Sequence, residues 1–94
     1  MAIDWHYRLA YLLGVAGIDI DDVVDALVDW LGGQQRVWVR TTDSQYVVVW
    51  MRTAGGQPVE ILARVAGSDL YLVAGRVLAG DRLTDFEKWE NADD

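Results

Sequence analysis

Five arginines recur through the middle of the chain, and two tryptophans alternate with them. Arg36, Trp38 and Arg40 stand in one short segment, Trp50 and Arg52 in the next, and Arg64 and Arg76 in the two that follow. Arg presents a planar fork of donors that matches phosphate oxygens, and an indole ring can stack on a base. The combination suits a nucleic-acid backbone, or cationic stabilisation of charge building up on a phosphorus centre. His6 is the only histidine. It can act as a general base or sit as a partly buried ring bonded to the backbone. A lone histidine in a chain without cysteine does not close a zinc site. Asp22, Asp25 and Asp29 recur at helical spacing and read as a solvated acidic face, since no glycine-bearing calcium loop accompanies them. Gly55-Gly56 lacks the lysine of a phosphate loop and reads as a turn. Ser44 and Ser68 fall in turn segments with no second histidine, so a serine triad is not expected. No metal and no cofactor is expected.

The arginines need strands to bring them together. Residues 36–40, 45–52, 58–65 and 70–78 are rich in β-branched and aromatic types, and TTDS, TAGGQ and AGSD between them carry turn chemistry. Connections this short force antiparallel hairpins, because a parallel crossover needs a dozen or more residues. Alternate residues share a face. The alternation therefore predicts one face carrying Arg36, Trp38, Arg40, Tyr46, Trp50, Arg52, Glu60, Arg64, Leu72 and Arg76. The other face holds the all-apolar sets, including Val49, Met51, Val59, Ile61, Tyr71 and Val73. The Arg/Trp face is either the solvated side of a half-covered sheet or a binding face for RNA or a protein partner.

Helices flank the strands. Asp4 caps a predicted helix from about Trp5 to Ala16, with Trp5, Leu9, Leu12, Leu13 and Ala16 on one stripe and Gly17 as its stop. Asp19 caps a second, with Asp21 and Asp22 in its first turn and Ile18 and Val23 placed as a hydrophobic staple; Gly32-Gly33 ends it. Thr84 and Glu87 form a capping-box pair opening a short C-terminal helix, residues 84–91, followed by an acidic tail, 92–94. Trp89 in that helix reads as a packing anchor. The expected architecture is α+β: one domain over residues 1–94, with a helical pair (1–33), a four-stranded antiparallel meander (36–78) and a C-terminal helix, all helices lying on one sheet face.

Length and composition agree with that reading. The chain has 94 residues, 52% of them hydrophobic, which suits one core. Eight Lys+Arg against 15 Asp+Glu give a net charge of −7. This argues against a plain DNA-binding module. The charge is uneven: residues 1–35 hold six acids and one base, and residues 79–94 six acids and two bases, around a mildly basic centre. The absence of cysteine excludes disulfides and a thiol nucleophile. No apolar run is long enough to span a bilayer and no signal peptide is apparent, so a cytoplasmic domain without membrane partners is expected.

Three stretches resemble the BrnT-type toxins, small domains of the RelE-like fold. IDWHYRLAYLLGVAGIDIDDVVDAL looks like the family's opening helical segment. YVVVWMRTAGGQPVEILARV is similar to its central hairpin, and LYLVAGRVLAGDRLTDFEKWE to its last strand and helix. The similarity covers most of residues 3–90 in short words. It implies a bacterial toxin that cleaves RNA without a metal and is neutralised by an antitoxin protein. Arg52 and Arg76 would be its catalytic cations, and His6 the group that activates the ribose hydroxyl. Two features depart from the family. The chain is acidic, and its final helix carries Lys88 among Asp85, Glu87 and Glu90. The alternative is a non-catalytic interaction module that binds a protein through the acidic helices or the Arg/Trp face. A homodimer through a strand edge or the Trp-bearing face is a third expectation.

Overall fold

The computed structural model describes residues 2–40, 43 and 45–92. In chain order they form β1 (Ile3–Trp5), α1 (Tyr7–Val15), α2 (Ile20–Leu31), β2 (Trp38–Val39), β3 (Tyr46–Arg52), β4 (Pro58–Ala66), β5 (Asp69–Val77) and α3 (Gly80–Asn91). The architecture is α+β, with three helices on a five-stranded mixed sheet of order β1-β5-β4-β3-β2. Strands β2 to β5 make the expected antiparallel meander. The Thr41, Thr42 and Ser44 part of the first turn segment, and Asp93 and Asp94 of the tail, lie outside the described residues.

The fifth strand is a correction. Ile3–Trp5 pairs in parallel with Leu70–Leu72 of β5 instead of opening the first helix. Asp4 is therefore a strand residue, and the cap of α1 is His6, whose Nδ1 accepts from the Arg8 amide at 3.2 Å. The second helix follows expectation. Asp19 Oδ1 accepts from the Asp21 amide at 2.9 Å, and Ile18 and Val23 are both buried. Gly17 and Gly33 follow the two helices with φ of +80° and +77°, the left-handed turn that favours glycine.

Strands β3 and β4 alternate as expected, and their apolar set (Val49, Met51, Val59, Ile61, Ala63) forms the main core with Leu9 and Leu13 of α1 and Val23, Ala26 and Leu27 of α2. On β5 the expected alternation fails at a β-bulge. Leu62 pairs with Ala74 and Ala63 with Leu72, so Val73 has no opposite residue. The extra residue reverses the first half of the strand. Leu72 turns into the helix-side core and Tyr71 joins Arg64 on the other face.

The third helix corrects the layer arrangement. It starts at Gly80, four residues earlier than predicted, with no side-chain cap. Thr84 sits inside it and its hydroxyl donates back to the Gly80 carbonyl at 3.2 Å, so the capping box is not used. It packs on the opposite sheet face from α1 and α2. Phe86 is fully buried there with Leu78 and Trp50, flanked by Trp38, Val48, Leu83 and Trp89. A large indole such as Trp50 needs a cover, and α3 supplies it.

Candidate functional site

Three tryptophans and a phenylalanine gather where β2 and β3 meet α3. Trp38 and Trp50 are directly opposed across the strands and their rings meet edge to face at 5.2 Å. Trp89 stacks on Trp38 at 5.6 Å and on Phe86 at 5.7 Å. Arg36 lies 4.2 Å over the Trp89 ring, and Arg40 lies 4.5 Å from both Trp38 and Trp50. Trp89 is thus a packing anchor, as its sequence position suggested. Neither Arg36 nor Arg40 makes a salt bridge among the described residues. Each guanidinium is thus within cation–π range of a ring.

The other arginines are engaged or distant. Arg52 is held by Glu90 of α3 in a two-pronged pair, Nε to Oε2 and Nη2 to Oε1, both at 2.9 Å. Glu87 adds a contact at 4.0 Å, and Arg52 Nη1 also donates to the Gly56 carbonyl at 3.0 Å. Hydrogen bonding of the Arg52 guanidinium to Glu90 is the main reason its pKa is raised; burial opposes this, and the charges of Glu90 and Glu87 add to it. Arg76 Nε donates to Glu60 Oε1 at 2.8 Å, and the other oxygen of Glu60 takes the Trp50 indole N–H at 2.8 Å. Arg64 lies 5.4 Å from the Tyr71 ring, opposite Tyr46. Tyr46 and Arg52 are the two ends of β3, so Arg64 and Arg52 are separated by about 20 Å of strand. His6 follows the edge strand β1, three strand spacings from β3, about 14 Å across the sheet. The five arginines and His6 therefore do not converge on one point. Arg36 and Arg40 share the tryptophan cluster, Arg52 and Arg76 are neutralised within the chain, and Arg64 and His6 stand apart.

Residues outside the sequence-based candidates organise this face. Glu60, Glu90 and Phe86 neutralise or cover it, and the side-chain amide of Gln35 donates to the Arg52 carbonyl at 2.8 Å. Burial opposes ionisation of Glu60, but the Trp50 N–H, the Arg76 pair and the charge of Arg82 together outweigh it and hold its carboxyl below the usual range. The alternation did place Glu60 on the arginine side; what pairs it with Arg76 is the register, in which the two are directly opposed. Beside them Val48, Leu62, Ala74 and Gly75 complete a shallow hollow of about 270 Å³.

The helix layer is different in kind. Asp21, Asp25 and Asp29 are exposed on α2. All three salt bridges among the described residues lie on the opposite sheet face, so these carboxylates have no cation partner there. No cluster of three His, Asp or Glu side chains among the described residues is placed to hold a metal ion. Ser68 is exposed in the β4–β5 turn, and Ser44 lies outside the described residues. No described helix is long and apolar enough to cross a membrane. No family model, curated protein or solved structure matches the chain.

Proposed function

We propose that the chain is a non-catalytic protein-interaction module of the cytoplasm that uses its acidic helix layer. One observation carries the reading. The two arginines best suited to phosphate chemistry are each paired with a carboxylate, Arg52 through two donors to Glu90 and Arg76 through its Nε to Glu60, whereas the carboxylates of α2 have no cation partner among the described residues. A phosphate approaching Arg52 must displace a carboxylate pair and face Glu87 as well. The net charge of −7 further slows encounter with RNA.

A second reading has one observation in its favour. Arg36 and Arg40 lie against tryptophan rings without carboxylate partners, an arrangement able to meet RNA or an antitoxin protein. It supports binding by a BrnT/RelE-like toxin more than cleavage, since His6, the expected general base, follows the edge strand at the far side of the sheet. Homodimerisation through a strand edge is less favoured. The edge strands β1 and β2 have three and two residues, and short edges offer little backbone to pair.

Incubation with single-stranded RNA at low salt, beside Arg52→Ala and Arg76→Ala, separates the two readings. The expected result is no cleavage by any of the three proteins. Cleavage by the parent that either substitution abolishes would overturn the module in favour of the toxin.

A further inference from the structure

An apolar groove runs along one side of α2. Val24, Val28, Leu31 and Gly32 line it, Ile3 of β1 closes its base, and its volume is about 380 Å³. Val24, Val28 and Leu31 follow at four- and three-residue steps, so they form one stripe down the helix. Val28 is 55% exposed and Leu31 37% exposed. On α1, the neighbouring helix of the layer, Tyr7, Tyr11, Leu12 and Val15 are all more than half exposed. Apolar side chains lining one open groove on a small domain mark a contact site. The stripe has an acidic border: Asp21 and Asp25 each stand three residues before a groove residue, and Asp29 adds charge further round the same exposed side of α2.

From the groove and its border together we infer that α2 and β1 seat a cationic amphipathic helix of a partner protein, whose apolar side fills the groove and whose Lys or Arg residues meet the α2 carboxylates. The inference rests on the interaction-module reading and names the partner's chemistry. Charge decides between occupants. A second copy would set Asp21, Asp25 and Asp29 against acidic residues of the same layer. Nucleic acid and anionic lipid are repelled for the same reason. A helix with apolar residues at i, i+3, i+4 and i+7 and basic flanks is complementary both to the stripe and to its border. On α2 the groove runs from Val24 to Leu31, about 12 Å, enough for two turns of a docked helix.

The probe is a fluorescent 18-residue Leu/Lys peptide with its leucines at those positions. A scrambled peptide of equal composition and charge is the control. Anisotropy titrations should show the amphipathic peptide binding at least about tenfold tighter than the scrambled one, a difference that corresponds to about 1.4 kcal/mol. Amide shifts should centre on Ile3, Val24, Val28 and Leu31. Val28→Asp, at an exposed position that spares the core, should remove that preference while circular dichroism stays unchanged. Asp25→Asn with Asp29→Asn should weaken both peptides and flatten their salt dependence. Equal binding of the two peptides, with shifts confined to the helix layer, overturns the groove and leaves the module standing. Shifts on the Arg/Trp face, or no binding of either peptide, overturn both.

Discussion

Glu60 receives a charged and a neutral donor on its two oxygens, and both donors come from neighbouring strands. It is the pin between β3, β4 and β5 on the α3 side. Hydrogen bonds to charged groups contribute about 1.5–3 kcal/mol when shielded, and the half-exposed Arg76 end of this network reduces that. Glu60→Gln is expected to destabilise the fold by about 1 kcal/mol at neutral pH, measured by urea denaturation. The pH dependence follows from the lowered carboxyl pKa. Stabilisation from a depressed carboxylate is complete above its unfolded pKa and disappears as pH falls through the folded one. The gap between parent and Glu60→Gln should therefore close in acid, and a gap that persists at pH values well below the carboxylate range would show that geometry and not charge holds the pin. Arg52 and Glu90 illustrate what sequence alone conceals at this scale. Both residue types are visible, but their meeting depends on which face α3 chooses, and 38 residues separate them.

The elements show where local pattern ends and tertiary contact begins. The cap, staple and stop of α2 are encoded within its own turns, so its bounds were readable. The three residues of β1 have no local signal that distinguishes them from a helix start; only pairing with β5 makes them a strand. The bulge at Val73 is equally non-local. It rotates Leu72 into the core, and apolar residues on both sides of it leave the alternation ambiguous. Gly75, two residues on, is demanded by packing. A Cβ there would stand 2.8 Å from Ile61 Cδ1 and 3.0 Å from Leu13 Cδ2. Those methyl ends lie in the closed core between α1 and the sheet, so Gly75→Val should cost about 2–3 kcal/mol by overpacking, seen as a lower urea midpoint with an unchanged slope. No loss would mean that α1 moves off the sheet freely. Helix α3 depends on one buried ring. Phe86→Ala should cost about 3 kcal/mol, and hydrogen exchange should find the α3 amides unprotected before those of β4. Simultaneous loss in both elements would instead make α3 part of the central cooperative unit.

Across the whole molecule the two sheet faces have opposite electrostatic designs. On the α3 side, acids and arginines interlock through Glu60, Glu87 and Glu90. On the helix side α2 carries four aspartates, no base in its last turn, and Asp29 near its negative end. Salt acts on the two sides in opposite directions, because it weakens attraction on the first and repulsion on the second. Exposed ion pairs contribute only about 0–1 kcal/mol each, whereas a net charge of −7 lies on a body measuring 34 × 29 × 24 Å, a few screening lengths across. Repulsion should win. Thermal unfolding of the parent is expected to shift upward as sodium chloride rises from about 10 to about 150 mM, the range over which the screening length falls from about 30 to about 8 Å. Asp25→Asn with Asp29→Asn should raise the low-salt midpoint by a few degrees, matching about 0.5–1 kcal/mol in a domain of this size, and should reduce the salt response. A midpoint that falls with salt would assign control to the interlocked face. The acidic helix layer would then be energetically silent in the free protein, and a cationic partner would find no stored repulsion to relieve on docking.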